Sequence, residues 1–266
     1  MLHDDFPAGS VWLVGAGPGD PELLTRKAER LIAAADIVFF DALVGPGVLD
    51  GIPASAERVS VGKRSGRHSR DQATIDALIV GAALTGKRVV RLKGGDPAMF
   101  GRTSEEVDAC RRAGVRVRIC PGITAASAAA AAASISLTLR GVARQLTCVT
   151  AHARAGGTLD LPWHALADAG TTLAIYMGRS AAASIMRQLL EAGRAPRTPV
   201  LVVVNASLPG ERILRGQLSA LAFLVEAISD LDPTLLLVGD AVQAPAALSR
   251  TLSDEAGRLC ALEDRP

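Results

Sequence analysis

Two glycine-rich segments, each leaving an apolar run and ending in Asp-Pro, are the first places in this 266-residue chain where chemistry could occur. Gly15-Ala16-Gly17-Pro18-Gly19-Asp20-Pro21 follows Val11-Trp12-Leu13-Val14, and Gly94-Gly95-Asp96-Pro97 follows Val89-Val90-Arg91-Leu92-Lys93. Glycines at a strand end let the backbone approach a ligand closely, and Asp followed by Pro caps and opens the next helical turn. In one parallel sheet both turns would lie at the carboxyl edge, where open α/β sheets bind ligands. The dinucleotide fingerprint requires glycine where Asp20 stands, and Gly-Lys-Ser/Thr is missing from both turns, so nicotinamide binding and phosphate cradling are disfavoured.

Further polar residues sit at the ends of apolar runs. Asp41 follows Val38-Phe39-Phe40 and His152 follows Thr150-Ala151; each is placed either for proton transfer or for capping the next turn, and spacing does not separate the two. In Phe100-Gly101-Arg102-Thr103-Ser104-Glu105-Glu106, Thr103 and Glu106 have the spacing of a capping box, with Arg102 solvated beside it. The run Lys63-Arg64-Ser65-Gly66-Arg67-His68-Ser69-Arg70 reads as a basic loop that near a cleft would attract a polycarboxylate or phosphate. His3, His68 and His164 show no ligand spacing, so no metal site is expected. Tyr176 and Met177, ending an apolar run, read as core residues by default.

The elements that must position these residues alternate. Strand-like runs at 11–14, 37–40, 59–61, 88–92 and 115–119 are separated by helical spacing over 21–35, 71–84 and 105–113. This rhythm predicts an α/β domain over 1–121 with a mainly parallel sheet. An Ala/Ser-rich segment, 124–135, then changes the texture, and a second α/β domain with a mixed sheet is expected over 122–266. Its strands are read at 146–150, 172–177, 199–204 and 235–238, its helices near 180–192 and 219–229, and the tail beyond Asp254 as loosely held.

Composition excludes several classes. With 49% hydrophobic and 21% charged residues the chain can bury a sizeable core. A formal charge of +2 and 3% aromatic residues argue against nucleic acid as a partner. The four cysteines, Cys110, Cys120, Cys148 and Cys260, form no CxxC pair, which fits a reducing cytoplasm. The amino terminus has no secretory pattern, and no apolar run approaches the roughly 18 residues of a membrane span.

The ordered set of motifs closely resembles the uroporphyrinogen-III C-methyltransferases of the tetrapyrrole methylase superfamily. The resemblance rests on Gly15-Ala16-Gly17-Pro18-Gly19-Asp20-Pro21, Asp41-Ala42-Leu43-Val44, Gly62-Lys63-Arg64, Arg91-Leu92-Lys93-Gly94-Gly95-Asp96-Pro97, Phe100-Gly101-Arg102, Pro121-Gly122-Ile123-Thr124-Ala125 and Tyr176-Met177-Gly178, and covers nearly the whole chain. It implies a two-domain tetrapyrrole methylase fold with its active site in the interdomain cleft, in the stand-alone rather than the fused form, usually as a homodimer. It also implies successive methylation of uroporphyrinogen III at C2 and C7, giving precorrin-2 via precorrin-1 for sirohaem, cobalamin or haem d1. The methyl donor would be S-adenosylmethionine, with S-adenosylhomocysteine as product and no metal.

By the same resemblance, the cofactor contacts fall on Pro18, Gly94, Gly95, Asp96, Met99, Thr124, Ala125, Met177, Ala206 and Thr234. Catalytic roles fall on Asp41, Lys63, Arg102 and Glu105, and substrate binding on Arg102, Arg140, His152, Lys63 and Arg64. A substrate with eight carboxylates needs guanidinium and ammonium partners, which these supply. Ala42, Thr103, Ser104, Leu139 and Ala151 depart from common family residues, as does Met99 following Ala98. Alternatives are a later precorrin methyltransferase and a binding module that holds S-adenosylmethionine or a tetrapyrrole without turnover.

Overall fold

The computed structural model describes residues 5–62, 71–152 and 159–243. The chain forms two compact units, one running to Ala128 and joined by the returning segment Ala206–Glu211, the other built from Ala129–Asn205 and the described residues from Arg212 onward.

In the first unit β1 (Ser10–Gly15), β2 (Ile37–Phe40), β3 (Glu57–Ser60), β4 (Val89–Lys93) and β5 (Arg116–Cys120) make a sheet ordered β3-β2-β4-β1-β5. Every pairing is parallel, as the βαβ rhythm predicts, so all five strands end at one edge. Helices α1 (Arg26–Ala33) and α2 (Pro46–Asp50) cover one face, where Leu31, Ile32 and Val48 pack with Val14, Val90 and Leu92. Helices α3 (Gln72–Leu84) and α4 (Thr103–Arg112) cover the other, packing Ile75, Ile79 and Cys110 on Leu13, Phe39 and Val89. The helix read over 21–35 is broken: Asp20 caps a short 3₁₀ turn, Pro21–Leu23, by accepting from the Glu22 amide. Leu24 is extended, and Thr25 caps α1 by accepting from the Ala28 amide. Side-chain caps at both Asp20 and Thr25 satisfy two separate sets of free amides, which divides the segment.

In the second unit β6 (Gln145–Thr150), β7 (Thr171–Tyr176), β8 (Pro199–Val204), β9 (Arg212–Gln217) and β10 (Thr234–Val238) form a sheet ordered β6-β7-β10-β8-β9. The β6–β7 pair is parallel and the others antiparallel, the expected mixed sheet. Helix α5 (Ala125–Ala132) precedes it, and α6 (Trp163–Leu166), α7 (Ala182–Glu191) and α8 (Leu221–Glu226) lie within it; Leu166, Ile185, Leu189 and Leu221 pack on Leu173, Val202 and Leu236. Strand β9 was not expected from the sequence. It is an edge strand, half-exposed along its length, and carries Arg212 and Arg215 rather than a β-branched run. Among the described residues no helix is long and apolar enough to cross a membrane.

Candidate functional site

At the carboxyl edge of the parallel sheet three loops are knitted together. Gly17 and Gly95 exchange backbone hydrogen bonds, the Gly95 amide donating to the Gly17 carbonyl at 2.6 Å and the Gly17 amide to the Gly95 carbonyl at 3.2 Å. The Asp96 carboxylate accepts from the Gly122 amide at 2.9 Å and from the Ala98 amide at 2.7 Å. The loops after β1, β4 and β5 thus form one backbone-lined platform holding Pro18, Gly94, Gly95, Asp96, Met99, Thr124 and Ala125. Gly15 and Gly122 lie so close that a Cβ on Gly15 would stand 2.6 Å from the Gly122 backbone. Gly95 differs: its φ of 69° is left-handed, and a Cβ there would meet no protein atom within 4 Å. Its open side therefore faces space that a ligand can occupy. Ser207, from the returning segment, accepts from the Asp20 amide at 3.1 Å.

Asp41 stands on the same edge, directly after β2. Its Oδ1 accepts from the Leu43 amide at 3.0 Å, and both carboxylate oxygens lie 3.3–3.4 Å from the Gly94 amide. It therefore caps its own turn and also faces the β4 loop. Lys63 and Arg64 lie outside the described residues. Among the described residues, Arg91 stands against Asp41, 3.7 Å away.

Arg91 belongs to a buried ionic group that sequence reasoning missed. Arg91 and Lys93, 5% and 4% exposed, point to the same face of central strand β4 and meet Glu106 of α4, 1% exposed. Glu106 accepts from Arg91 Nε at 2.9 Å and from Lys93 Nζ at 2.6 Å. Burial pushes the Lys93 ammonium below the usual lysine range, while Glu106 opposes that shift. The signal was present in the sequence: two cations two residues apart in a strand buried on both faces require a carboxylate partner.

The capping box read at 103–106 is not formed. Arg102, at a left-handed φ of 54°, occupies the cap position without a side-chain cap bond; Thr103 is the first helical residue, and its hydroxyl donates to the Pro97 carbonyl. Glu106 turns inward because two buried cations attract it more strongly than one terminal amide. Arg102 is not simply solvated either, since it forks onto Glu105 through Nε–Oε1 at 2.8 Å and Nη2–Oε2 at 2.7 Å. Both side chains of that pair are about half exposed.

The second sheet gathers its own set. β7 and β8 end, and antiparallel β10 begins, at one edge, with Leu235 opposite Tyr176 and Thr234 opposite Val204. Met177 therefore follows β7, Ala206 follows Asn205 after β8, and Thr234 opens β10, all at that edge. The Asn205 amide donates to the Pro233 carbonyl at 2.8 Å. Met177 and Asn205 are both left-handed, at φ of 54° and 53°. Met177 is 47% exposed, not core: its left-handed turn takes it out of the strand after the buried run of β7. His152 is exposed at the carboxyl end of parallel β6, its amide donating to Thr150 Oγ1 at 3.2 Å. Arg140 lies elsewhere, in a turn closed by Leu139 and Ala143 that leads into the amino end of β6.

Burial pushes the Cys110 thiol up to about 11, helped by Asp76 and Glu106, and also raises Cys120 and Cys148, so none is a ready thiolate. Among the described residues no three His, Cys, Asp or Glu are grouped to hold a metal.

Comparison with known proteins places these features in a family. The family model for tetrapyrrole (corrin/porphyrin) methylases matches residues 10–222. Siroheme synthase of Gluconacetobacter diazotrophicus is 47% identical over 255 residues, which cover 94% of this chain and 54% of that protein. Siroheme synthase 1 of Yersinia enterocolitica is 48% identical over 234 residues, covering 88% and 49%. The chain thus spans about half the length of these curated relatives. Among solved structures, uroporphyrin-III C-methyl transferase from Thermus thermophilus, complexed with S-adenyl homocysteine, is similar with a TM-score of 0.75 and 40% identity, over 88% of this chain and 93% of that one. A cobalt precorrin-4 methyltransferase gives a TM-score of 0.79 at 30% identity, over 88% and 96%. A match that runs from β1 into α8 takes in the glycine platform, Asp41 and the buried ionic group alike, and the chain belongs to the tetrapyrrole methylase family.

Proposed function

We propose that the chain is an S-adenosylmethionine-dependent C-methyltransferase that converts uroporphyrinogen III to precorrin-2 via precorrin-1, methylating C2 and C7 on a route to sirohaem, cobalamin or haem d1. The observation that carries this reading is the likeness, over almost all of both chains, to the Thermus thermophilus enzyme with bound S-adenyl homocysteine. Lower identity to the cobalt precorrin-4 enzyme disfavours a later corrin methylation. Pro18, Gly94, Gly95, Asp96, Met99, Thr124 and Ala125 on the first sheet's edge, and Met177, Ala206 and Thr234 on the second's, serve as cofactor contacts. Gly95 supports the fit, because its open side offers backbone to a ligand. Bound there, S-adenosylmethionine supplies a methyl group already activated on a sulfonium.

The chain's own residues then have to orient the macrocycle and move a proton. Asp41 takes or relays the proton that leaves the methylated ring. The exposed Arg102–Glu105 pair is worth at most about 1 kcal/mol, so a substrate carboxylate can draw the Arg102 fork away. His152, Lys63 and Arg64 provide the remaining partners for carboxylates. The same reading makes the protein a cytoplasmic homodimer that uses no metal. The test of the cofactor site is calorimetric titration with S-adenosylhomocysteine. Gly95→Ala should bind about tenfold or more weakly, roughly 1.4 kcal/mol, while the left-handed backbone costs only about 1 kcal/mol of stability. Unchanged affinity would remove Gly95 from the site.

A further inference from the structure

We propose that Arg91 is a positioning residue for Asp41, its guanidinium held between the buried carboxylate of Glu106 at 2.9 Å and the Asp41 carboxylate at 3.7 Å. The inference deepens the proposed function, and its kinetic arm rests on that reading.

The geometry works outward from the core. Both Glu106 oxygens are engaged, one by Arg91 and one by Lys93, which fixes the carboxylate's rotation. Arg91 Nη1 also donates to the Leu92 carbonyl at 2.8 Å. With Nε and Nη1 committed to groups inside the fold, the planar fork has no freedom to swing, and Nη2 is left facing Asp41. Asp41 itself is otherwise held by backbone amides, a 3.0 Å bond from Leu43 and long contacts from Gly94. Arg91 thus transmits the rigidity of the β4–α4 packing to a carboxylate on the ligand edge. A lysine keeps the charge but is a point donor that cannot hold Glu106 and the Leu92 carbonyl while facing Asp41. Arg91→Lys therefore separates charge from orientation.

The experiment is a pair of cycles on the full chain, Arg91→Lys with Asp41→Asn and Glu106→Gln with Asp41→Asn. Each variant is measured for single-turnover methyl transfer from S-adenosylmethionine to uroporphyrinogen III, S-adenosylhomocysteine affinity and denaturation midpoint. Arg91→Lys should slow transfer about tenfold with cofactor affinity unchanged, and Glu106→Gln should act in the same direction by weakening the inner anchor, since its amide offers Arg91 and Lys93 one neutral acceptor in place of two charged ones. Neither should slow the Asp41→Asn protein further, and the midpoint shifts of Arg91→Lys and Asp41→Asn should fall short of additive. The proposal is overturned if Arg91→Lys leaves the rate untouched, or slows Asp41→Asn by the factor by which it slows the parent. Should Arg91→Lys not fold, the Glu106→Gln cycle decides by the same criteria. If the parent chain does not methylate uroporphyrinogen III, the proposed function fails. The denaturation cycles then judge Arg91 alone, additive shifts overturning the proposal and non-additive shifts supporting the contact.

Discussion

Glu106→Ala is expected to remove about 3–5 kcal/mol of folding stability, because it leaves Arg91 and Lys93 buried on the central strand without their shared carboxylate. Urea denaturation checks this, and a loss below about 1 kcal/mol would show that the group is not dry. The deficit should also depend on pH in a definite direction. Burial already holds the Lys93 ammonium below the usual lysine range, so between the folded and unfolded values the unfolded chain binds more protons and stability rises with pH. Removing Glu106 takes away the group that opposes this shift and widens the window downward. The deficit of Glu106→Ala should therefore shrink as pH rises towards the ordinary lysine value, measured as the difference in denaturation free energy from the parent.

Asp41→Asn is expected to have the largest effect on rate, lowering single-turnover methyl transfer by about 10²-fold or more. Asparagine's carbonyl oxygen can still accept from the Leu43 amide, but its NH2 group cannot accept a proton as a base. That NH2 also meets donors at Gly94 and Arg91, so a stability loss of about 1 kcal/mol should accompany the change. S-adenosylhomocysteine affinity should stay near the parent's. Rapid-quench rates and thermal melts on one preparation separate the roles: full rate with a lowered melting temperature would make Asp41 a turn cap and pass the proton to Glu105 or His152.

Most of the fold was legible because its signals are local. β-branched runs alternating with helical spacing identified the five parallel strands of the first unit, and glycines before Asp-Pro marked the edge they share. What was not legible depends on which strands become neighbours. β9 is a polar edge strand that forms because β8 offers an unpaired edge, not because Arg212–Gln217 favours extension. Thr103 and Glu106 have the spacing of a cap, yet Glu106 is drawn inward by cations that only the placement of β4 at the sheet's centre brings beneath α4. Met177 read as core because it follows a buried run; a left-handed residue after β7 turns it outward.

Among the candidate site residues the same division holds. Pro18, Gly94, Gly95 and Asp96 were visible as strand-end turns, and Asp41 as a carboxylate after an apolar strand. Its partner was not. Arg91, which the structure sets 3.7 Å from Asp41, sits in a strand that reads as ordinary core, and Lys63 lies outside the described residues.

The central claim is tested most directly by anaerobic incubation of the purified chain with uroporphyrinogen III and S-adenosylmethionine carrying a labelled methyl group, followed by mass spectrometry of the tetrapyrrole. The account predicts a singly methylated intermediate that gives way to a doubly methylated product, with label on the macrocycle and S-adenosylhomocysteine formed in step. Unmethylated uroporphyrinogen III recovered from a protein that binds S-adenosylhomocysteine would contradict it, and methylation only of an already methylated corrin precursor would move the enzyme to a later step.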